Sequence, residues 1–296
     1  MKKIFIFILM PIFAVCLNAQ SRRNVKVSDE AGTIMSVSIA RTDGKEDRVK
    51  PENIFLYENG VEQKIKNLVF DPSPSKIVLL VDNSQTLRAD VEKLQTAVKE
   101  FSYEIFDGDQ LFVIAYDEKA EIIQEWTDDA KKLETSLNLF RKKDNPYLFD
   151  ALRVTTDEIL RPLMPGTRKT AIVLISDGLD RGSKNEFDKV LGELQKENIV
   201  VYALQLPDRT NGAFRRNVPK APKVIQDLTE GTGGKIFDFD EPQVAAKAIC
   251  DELRKNRYLL SYFPTNTSSF DAKRLFLIAD EGITARTKNA QPPNVK

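Results

Sequence analysis

The stretch Ile77-Val78-Leu79-Leu80-Val81-Asp82-Asn83-Ser84-Gln85-Thr86 carries the most structural information in the 296-residue chain. Its continuous apolar run is the pattern of a strand buried on both faces of a sheet, and the run ends abruptly on a carboxylate. Immediately downstream, Leu87, Val91, Leu94, Val98, Phe101 and Ile105 recur at alternating steps of four and three, which predicts an amphipathic helix. The alternation then repeats. Leu111-Phe112-Val113-Ile114-Ala115, Ala171-Ile172-Val173-Leu174-Ile175, Ile199-Val200-Val201-Tyr202-Ala203-Leu204 and Lys235-Ile236-Phe237 read as strands. Helical patterns fall near 128–142, 148–161, 184–197, 221–230 and 242–256. Strands alternating with helices predict an α/β fold, a doubly wound and mostly parallel sheet with helices on both faces.

The flanks follow a different rhythm. Met35, Val37 and Ile39 alternate with Ser36 and Ser38, the period of a half-buried strand. Asn59-Gly60 between Ile54-Phe55-Leu56-Tyr57 and Val61-Glu62-Gln63-Lys64-Ile65 signals a hairpin, because a type I′ turn needs positive φ at both central residues. Near the other end, Tyr258-Leu259-Leu260-Ser261-Tyr262-Phe263 and Leu275-Phe276-Leu277-Ile278-Ala279 are strand-like. Residues 33–70 are too few to hold a robust core alone, so the two ends of the chain are expected to pack into one small β domain. The resulting organisation is a leader over 1–19, the N-terminal part of the β domain over 20–72, the α/β domain over 73–256, C-terminal strands over 257–288 and a disordered tail over 289–296.

The leader is expected from Lys2 and Lys3 ahead of an uncharged run over 4–17 and a small residue, Ala19, at the cut. A run of about 14 residues is short against the ~20 that span a bilayer, and no later run is long enough, so the mature chain is expected without a membrane span. The protein is then exported, to the periplasm or the extracellular space. Cleavage leaves Cys250 as the only cysteine, which makes an internal disulfide impossible; it sits in a helical pattern and reads as a small buried thiol.

Composition limits the chemistry. With no histidine the chain has no Ser-His-Asp system, no imidazole acid or base and no histidine-ligated zinc. Lys+Arg and Asp+Glu balance at 44 each, which leaves no electrostatic footprint for nucleic acid. Carboxylates, hydroxyls and lysines remain. In an open α/β sheet ligands bind at the carboxyl ends of the strands, and two of these strands end on acids, Asp82 and Asp177. Asp82, Ser84 and Thr86 occupy every second position of a strand-to-helix loop, so an extended loop aims their oxygens to one side, towards Asp177. An all-oxygen set of this kind suits a hard divalent cation such as Mg²⁺. The same residues also suit a helix cap with turn hydroxyls, and spacing alone does not separate the two.

These motifs resemble the von Willebrand factor type A domain, and most closely its exported bacterial members. The resemblance rests on Asp82-x-Ser84-x-Thr86 after an apolar strand, Gly108-Asp109 before the second strand and Asp177-Gly178 after the third. It is extended by the 51–60 segment Pro-Glu-Asn-Ile-Phe-Leu-Tyr-Glu-Asn-Gly, by Thr232-Gly233-Gly234-Lys235-Ile236-Phe237 and by the 258–264 segment. The family implies a metal-ion-dependent adhesion site, in which Mg²⁺ (or Mn²⁺ or Ca²⁺) would be held by Asp82, Ser84, Thr86 and Asp177 and completed by a carboxylate of a protein partner. One position departs from the family pattern. Where a threonine of the second loop is expected, in Asn145-Pro146-Tyr147-Leu148-Phe149-Asp150-Ala151-Leu152, the chain has Pro146, which offers no side-chain oxygen; Asp144 or Asn145 would have to reach in instead.

Three functions compete on these grounds. The first is an exported, non-enzymatic protein-binding module, with the metal as a bridge. The second is a metal-free interaction scaffold with a degenerate site, motivated by Pro146. The third is a metal-assisted phosphohydrolase using Asp82 or Asp177, weakened by the absence of histidine and of an obvious carboxylate base beside the nucleophile. Gly231-Thr232-Gly233-Gly234-Lys235 lacks the spacing and the following hydroxyl of a phosphate-binding loop. Trp126 reads as packing. Asp238, Asp240 and Glu241 read as a solvated strand end, and Arg215, Arg216, Lys220 and Lys223 as part of a solvated connection.

Overall fold

The computed structural model describes residues 32–211, 219–265 and 271–293, all within one unit. The expected leader therefore lies outside the described residues, as do Arg215 and Arg216. Strands β1 (Thr33–Arg41), β2 (Ile54–Glu58), β3 (Val61–Gln63) and β4 (Ile65–Phe70) come first. The alternating region follows as β5 (Lys76–Asp82), α1 (Val91–Glu104), β6 (Gln110–Tyr116), β7 (Ala120–Thr127), α2 (Ala130–Ser136), α3 (Leu148–Val154), β8 (Thr170–Ser176), α4 (Phe187–Lys196), β9 (Val200–Gln205), α5 (Ala221–Thr232), β10 (Ile236–Asp238) and α6 (Pro242–Lys255). Strands β11 (Arg257–Tyr262), β12 (Lys273–Ala279), β13 (Ile283–Arg286) and β14 (Ala290–Gln291) close the chain.

The central sheet has the order β10-β9-β8-β5-β6-β7, parallel throughout except for the antiparallel edge strand β7. Its inner strands are apolar on both faces because both faces are covered. Ile77, Leu79 and Val81 pack with Leu94, Val98 and Phe101 of α1 and with Ile249 and Leu253 of α6. Val78 and Leu80 pack with Leu148 and Leu152 of α3, Val190 and Leu194 of α4 and Val224 and Leu228 of α5. Cys250 is buried in the first of these layers, and Trp126 stacks edge-on against Phe112 at 5.1 Å.

Helix boundaries differ from expectation for local reasons. Leu87 is buried in the loop and α1 starts at Val91. In the 148–161 region the α-helix gives way at Thr155 to a wider turn through Leu160, ahead of Pro162, which has no N–H to continue the ladder.

The flanking strands form two antiparallel sheets, β13-β1-β11-β4 and β14-β12-β2-β3, each mixing N- and C-terminal segments. Met35, Val37, Ile54, Leu56, Leu260 and Tyr262 fill the space between them. The β2–β3 turn has Asn59 at φ 50° and Gly60 at φ 83°, as the Asn-Gly pair requires. Inside this core Glu58 is paired with Lys273 at 2.8 Å and accepts a hydrogen bond from the Tyr262 hydroxyl at 2.7 Å.

The expected disorder over 289–296 is corrected for its first residues. Lys273 and Arg274 of β12 present an open edge that pairs with Gln291 and Ala290, and Asn289 donates its N–H to Gly231 O at 3.1 Å. This strap also buries Lys288, whose Nζ donates to Gln195 O at the end of α4, at 2.7 Å. Burial lowers the Lys288 ammonium from 10.5 to about 7, with only the Glu197 charge opposing. Between those two values the unfolded chain holds a proton that the folded chain has lost, so this group makes stability rise with pH from about 7 to about 10.5. Lys288→Met is expected to abolish that rise and to stabilise the protein at neutral pH. Urea midpoints measured at about pH 7 and about pH 10 check it; an unchanged pH slope in the variant counts against the assignment.

Candidate functional site

Asp82 is the last residue of β5 and Asp177 follows β8, and because β5 and β8 are neighbours the two carboxylates meet at the strand ends, both fully buried. Beyond Asp82 the chain turns sharply. Ser84 donates both its N–H (2.9 Å) and its hydroxyl (2.5 Å) to Asp82 Oδ1, a side-chain-to-backbone turn that holds the loop above the sheet. Below Asp82 lies a buried chain of hydroxyls. Tyr116 donates to Ser176 Oγ at 2.9 Å, and Ser176 Oγ donates to Asp82 Oδ2 at 3.3 Å. Burial, reinforced by the Asp82 charge, holds the Tyr116 phenol well above its ordinary value.

The centre of the cluster is occupied by an arginine that the sequence reading did not single out. After β9, Leu206 donates its N–H to Ser176 O at 3.1 Å, which carries the chain alongside β8 for one more step. Asp208 Oδ1 then accepts from the N–H and hydroxyl of Thr210, both at 2.7 Å, and this turn brings Arg209 back over the strand ends. Arg209 donates its backbone N–H to Asp177 Oδ2 at 3.2 Å. Its Nε and Nη2 grip Asp177 as a fork, at 2.6 Å to Oδ2 and 2.7 Å to Oδ1. Nη2 also donates to Asp82 Oδ2, and Nη1 donates to Ser84 Oγ at 2.7 Å and Thr86 Oγ1 at 2.9 Å. A guanidinium has five N–H bonds, and all of them are spent on these partners. The Arg209 side chain is 3% exposed.

The electrostatics follow from that burial. Desolvation by itself would lower the Arg209 guanidinium, but the hydrogen bonds and charges of Asp177 and Asp82 more than offset it, so it is held above its ordinary value. Burial raises the Asp82 carboxyl, with Arg209 and the Ser84 hydrogen bonds pulling the other way. Two buried carboxylates share one buried cation, which is the pairing that makes such a site tolerable.

Asp82, Ser84, Thr86 and Asp177 are thus brought together as expected, but around a guanidinium. The second loop meets the first through backbone and through Lys142, whose Nζ donates to Leu87 O and Ala89 O. Its Lys143 N–H donates to Asn83 O at 3.1 Å, and Gln85 N–H donates to Lys143 O at 3.2 Å. The Asn145 amide turns away to Glu118 Oε1 at 3.2 Å, and Pro146 supplies its carbonyl to Arg181 N–H at 2.8 Å. Asp144 is exposed, and since all five N–H bonds of the Arg209 side chain go elsewhere, neither Asp144 nor Asn145 accepts from it.

A divalent cation does not fit this arrangement. The oxygens that would be its ligands are already spent on Arg209, a second positive charge beside a guanidinium is repelled, and the second loop has Pro146 where a side-chain oxygen is expected. The signal that points to Arg209 in the sequence is its place, five residues past the apolar run ending at Leu204 on the strand next to the Asp177 strand.

Residues 77–179 match the family model described as the von Willebrand factor type A domain. No curated protein matches the chain. Among solved structures, the von Willebrand factor type A protein from Catenulispora acidiphila aligns over 90% of this chain and 75% of its own, with 9% identity and a TM-score of 0.52, a likeness of fold. An aerotolerance-related membrane protein from Bacteroides fragilis aligns over 61% of this chain and 99% of its own, with 17% identity and a TM-score of 0.48. The conserved hypothetical protein BatB from Bacteroides thetaiotaomicron aligns over 61% and 98%, with 19% identity and a TM-score of 0.47.

Proposed function

We propose that this chain, which carries a von Willebrand factor type A domain, is a non-enzymatic protein-binding module whose strand-end face meets its partner without a metal bridge. One observation carries the proposal: the guanidinium of Arg209 sits among Asp82, Ser84, Thr86 and Asp177 with every N–H engaged. A bridging cation works by keeping a coordination position open for a partner's carboxylate. A guanidinium with no spare donor has no such position, so a partner reads the loops around the site and not the ion at its centre. The same geometry argues against the phosphohydrolase. Asp82 and Asp177 are both tied to Arg209, which leaves neither free as nucleophile or base.

The setting we propose for this binding is outside the cytoplasm, from the charged and then apolar leader over 1–19. Among the described residues no helix is long and apolar enough to cross a membrane.

Calorimetric titration of the protein with Mg²⁺ or Mn²⁺ tests the proposal. The expected result is no binding heat at millimolar metal, and capture of a partner that is indifferent to a chelator. Saturable heat that disappears in Asp82→Ala, or capture that a chelator abolishes and Mn²⁺ restores, would overturn it.

A further inference from the structure

We infer that the strand-end pocket is a guanidinium receptor in its own right, with Arg209 as its resident, tethered ligand. The inference rests on the metal-independent reading above and goes further by naming the chemical class that the pocket recognises.

The geometry distinguishes a guanidinium from a point charge. Asp177 offers both oxygens side by side to Nε and Nη2, the flat two-toothed match that a carboxylate makes with one edge of a guanidinium. Asp82 Oδ2 takes the outer N–H of Nη2, and the two hydroxyls take the two N–H bonds of Nη1. Each hydrogen-bonding direction of a planar, five-donor cation is answered by one oxygen. The carboxylate acceptors are themselves held in place. Asp177 Oδ1 also accepts from Leu179 N–H at 3.0 Å, Asp82 Oδ1 is fixed by Ser84, and Asp82 Oδ2 is met from below by Ser176. An ammonium has three donors at tetrahedral angles and leaves part of this set unanswered.

The tether supplies the affinity. A ligand held in the loop that follows the next strand of the same sheet is present at millimolar or higher effective concentration, so a free guanidinium does not compete at low concentration. Arg88 Nη2 lies 3.4 Å from Arg209 O and adds a small hold on the same segment from the first loop.

The test removes the tethered ligand and supplies a free one. In Arg209→Ala two buried carboxylates lose their counter-charge, and the melting midpoint is expected to fall by roughly 10 °C. Low-millimolar ethylguanidinium is expected to restore several degrees to Arg209→Ala and none to the wild type, with ethylammonium and Mg²⁺ as the competing probes. Arg209→Lys is expected to melt between the two. Rescue of Arg209→Ala by Mg²⁺ in place of ethylguanidinium, or equal rescue by ethylammonium, would overturn the receptor. The metal-independent reading would survive either result as long as the wild type ignores Mg²⁺. Should Arg209→Ala not fold, the wild type is read directly through arginine Nε–H hydrogen exchange by NMR. A slowly exchanging Nε–H that is absent from Arg209→Lys supports the receptor, and an Arg209 Nε–H that exchanges like an exposed arginine overturns it.

Discussion

Asp82→Ala is expected to destabilise the protein by about 3–5 kcal/mol, the cost of leaving one member of a buried ion pair without its partner. Asp82 accepts from Ser84 N–H, Ser84 Oγ, Ser176 Oγ and Arg209 Nη2, so the substitution strands four donors together. The direction of the effect matters more than its size. Had the strand ends held an open acidic cluster awaiting a metal, Asp82 and Asp177 would repel each other in metal-free buffer, and removing one would relieve the strain and stabilise the protein. With Arg209 seated between them the sign reverses. A urea or thermal unfolding curve in the presence of a chelator decides the matter, and a stabilised Asp82→Ala would rule out the guanidinium arrangement. Coupling can be read from the double variant. Asp82→Ala combined with Arg209→Ala is expected to cost measurably less than the two single effects added, because each single variant strands the other residue.

The central sheet was legible because its signal is local and redundant. Each inner strand is a run of apolar residues, and runs such as Ile77 to Val81 have no other stable home than a sheet covered on both faces. The positions of Asp82, Ser84, Thr86 and Asp177 were legible for a related reason: a carboxylate directly after a buried strand has to emerge at the strand's carboxyl end. Arg209 was not legible in the same way. It stands in a polar stretch with no periodicity, and what places it is tertiary. Leu206 extends the contact with β8, and the turn at Asp208 redirects the chain across two neighbouring strands. Pro146 takes a side-chain oxygen away from the second loop, but nothing in that loop names the residue that meets the two aspartates. Ala290 and Gln291 are a similar case. A polar, proline-flanked terminus reads as disordered until β12 is known to offer it an unpaired edge.

Gly178→Ala is expected to cost roughly 2–4 kcal/mol, summed from a left-handed backbone that alanine disfavours and an overpacked contact. Gly178 follows Asp177 with φ +84°, and a Cβ there would lie 2.3 Å from Ala221 O and 2.8 Å from Ile225 Cγ1. Ala221 opens α5, so the clash is with helix backbone and not with a side chain that can step aside. Either α5 moves outward or the loop carrying Asp177 retreats from it. The second movement drags the carboxylate that grips Arg209 by three hydrogen bonds, so the damage is expected at the site as well as in the melting curve. Arg209 Nε–H exchange is expected to quicken in Gly178→Ala by more than the global loss of stability explains. Gly192→Ala is the matched control. It lies within α4 with nothing near the position of an added Cβ, and there alanine is expected to stabilise by about 0.5–1 kcal/mol. If the two substitutions behave alike, the approach of α5 to the Asp177 loop does not constrain the site. If Gly178→Ala alone loosens Arg209, the glycine after the third-strand aspartate is there to let a helix close over a buried ion pair.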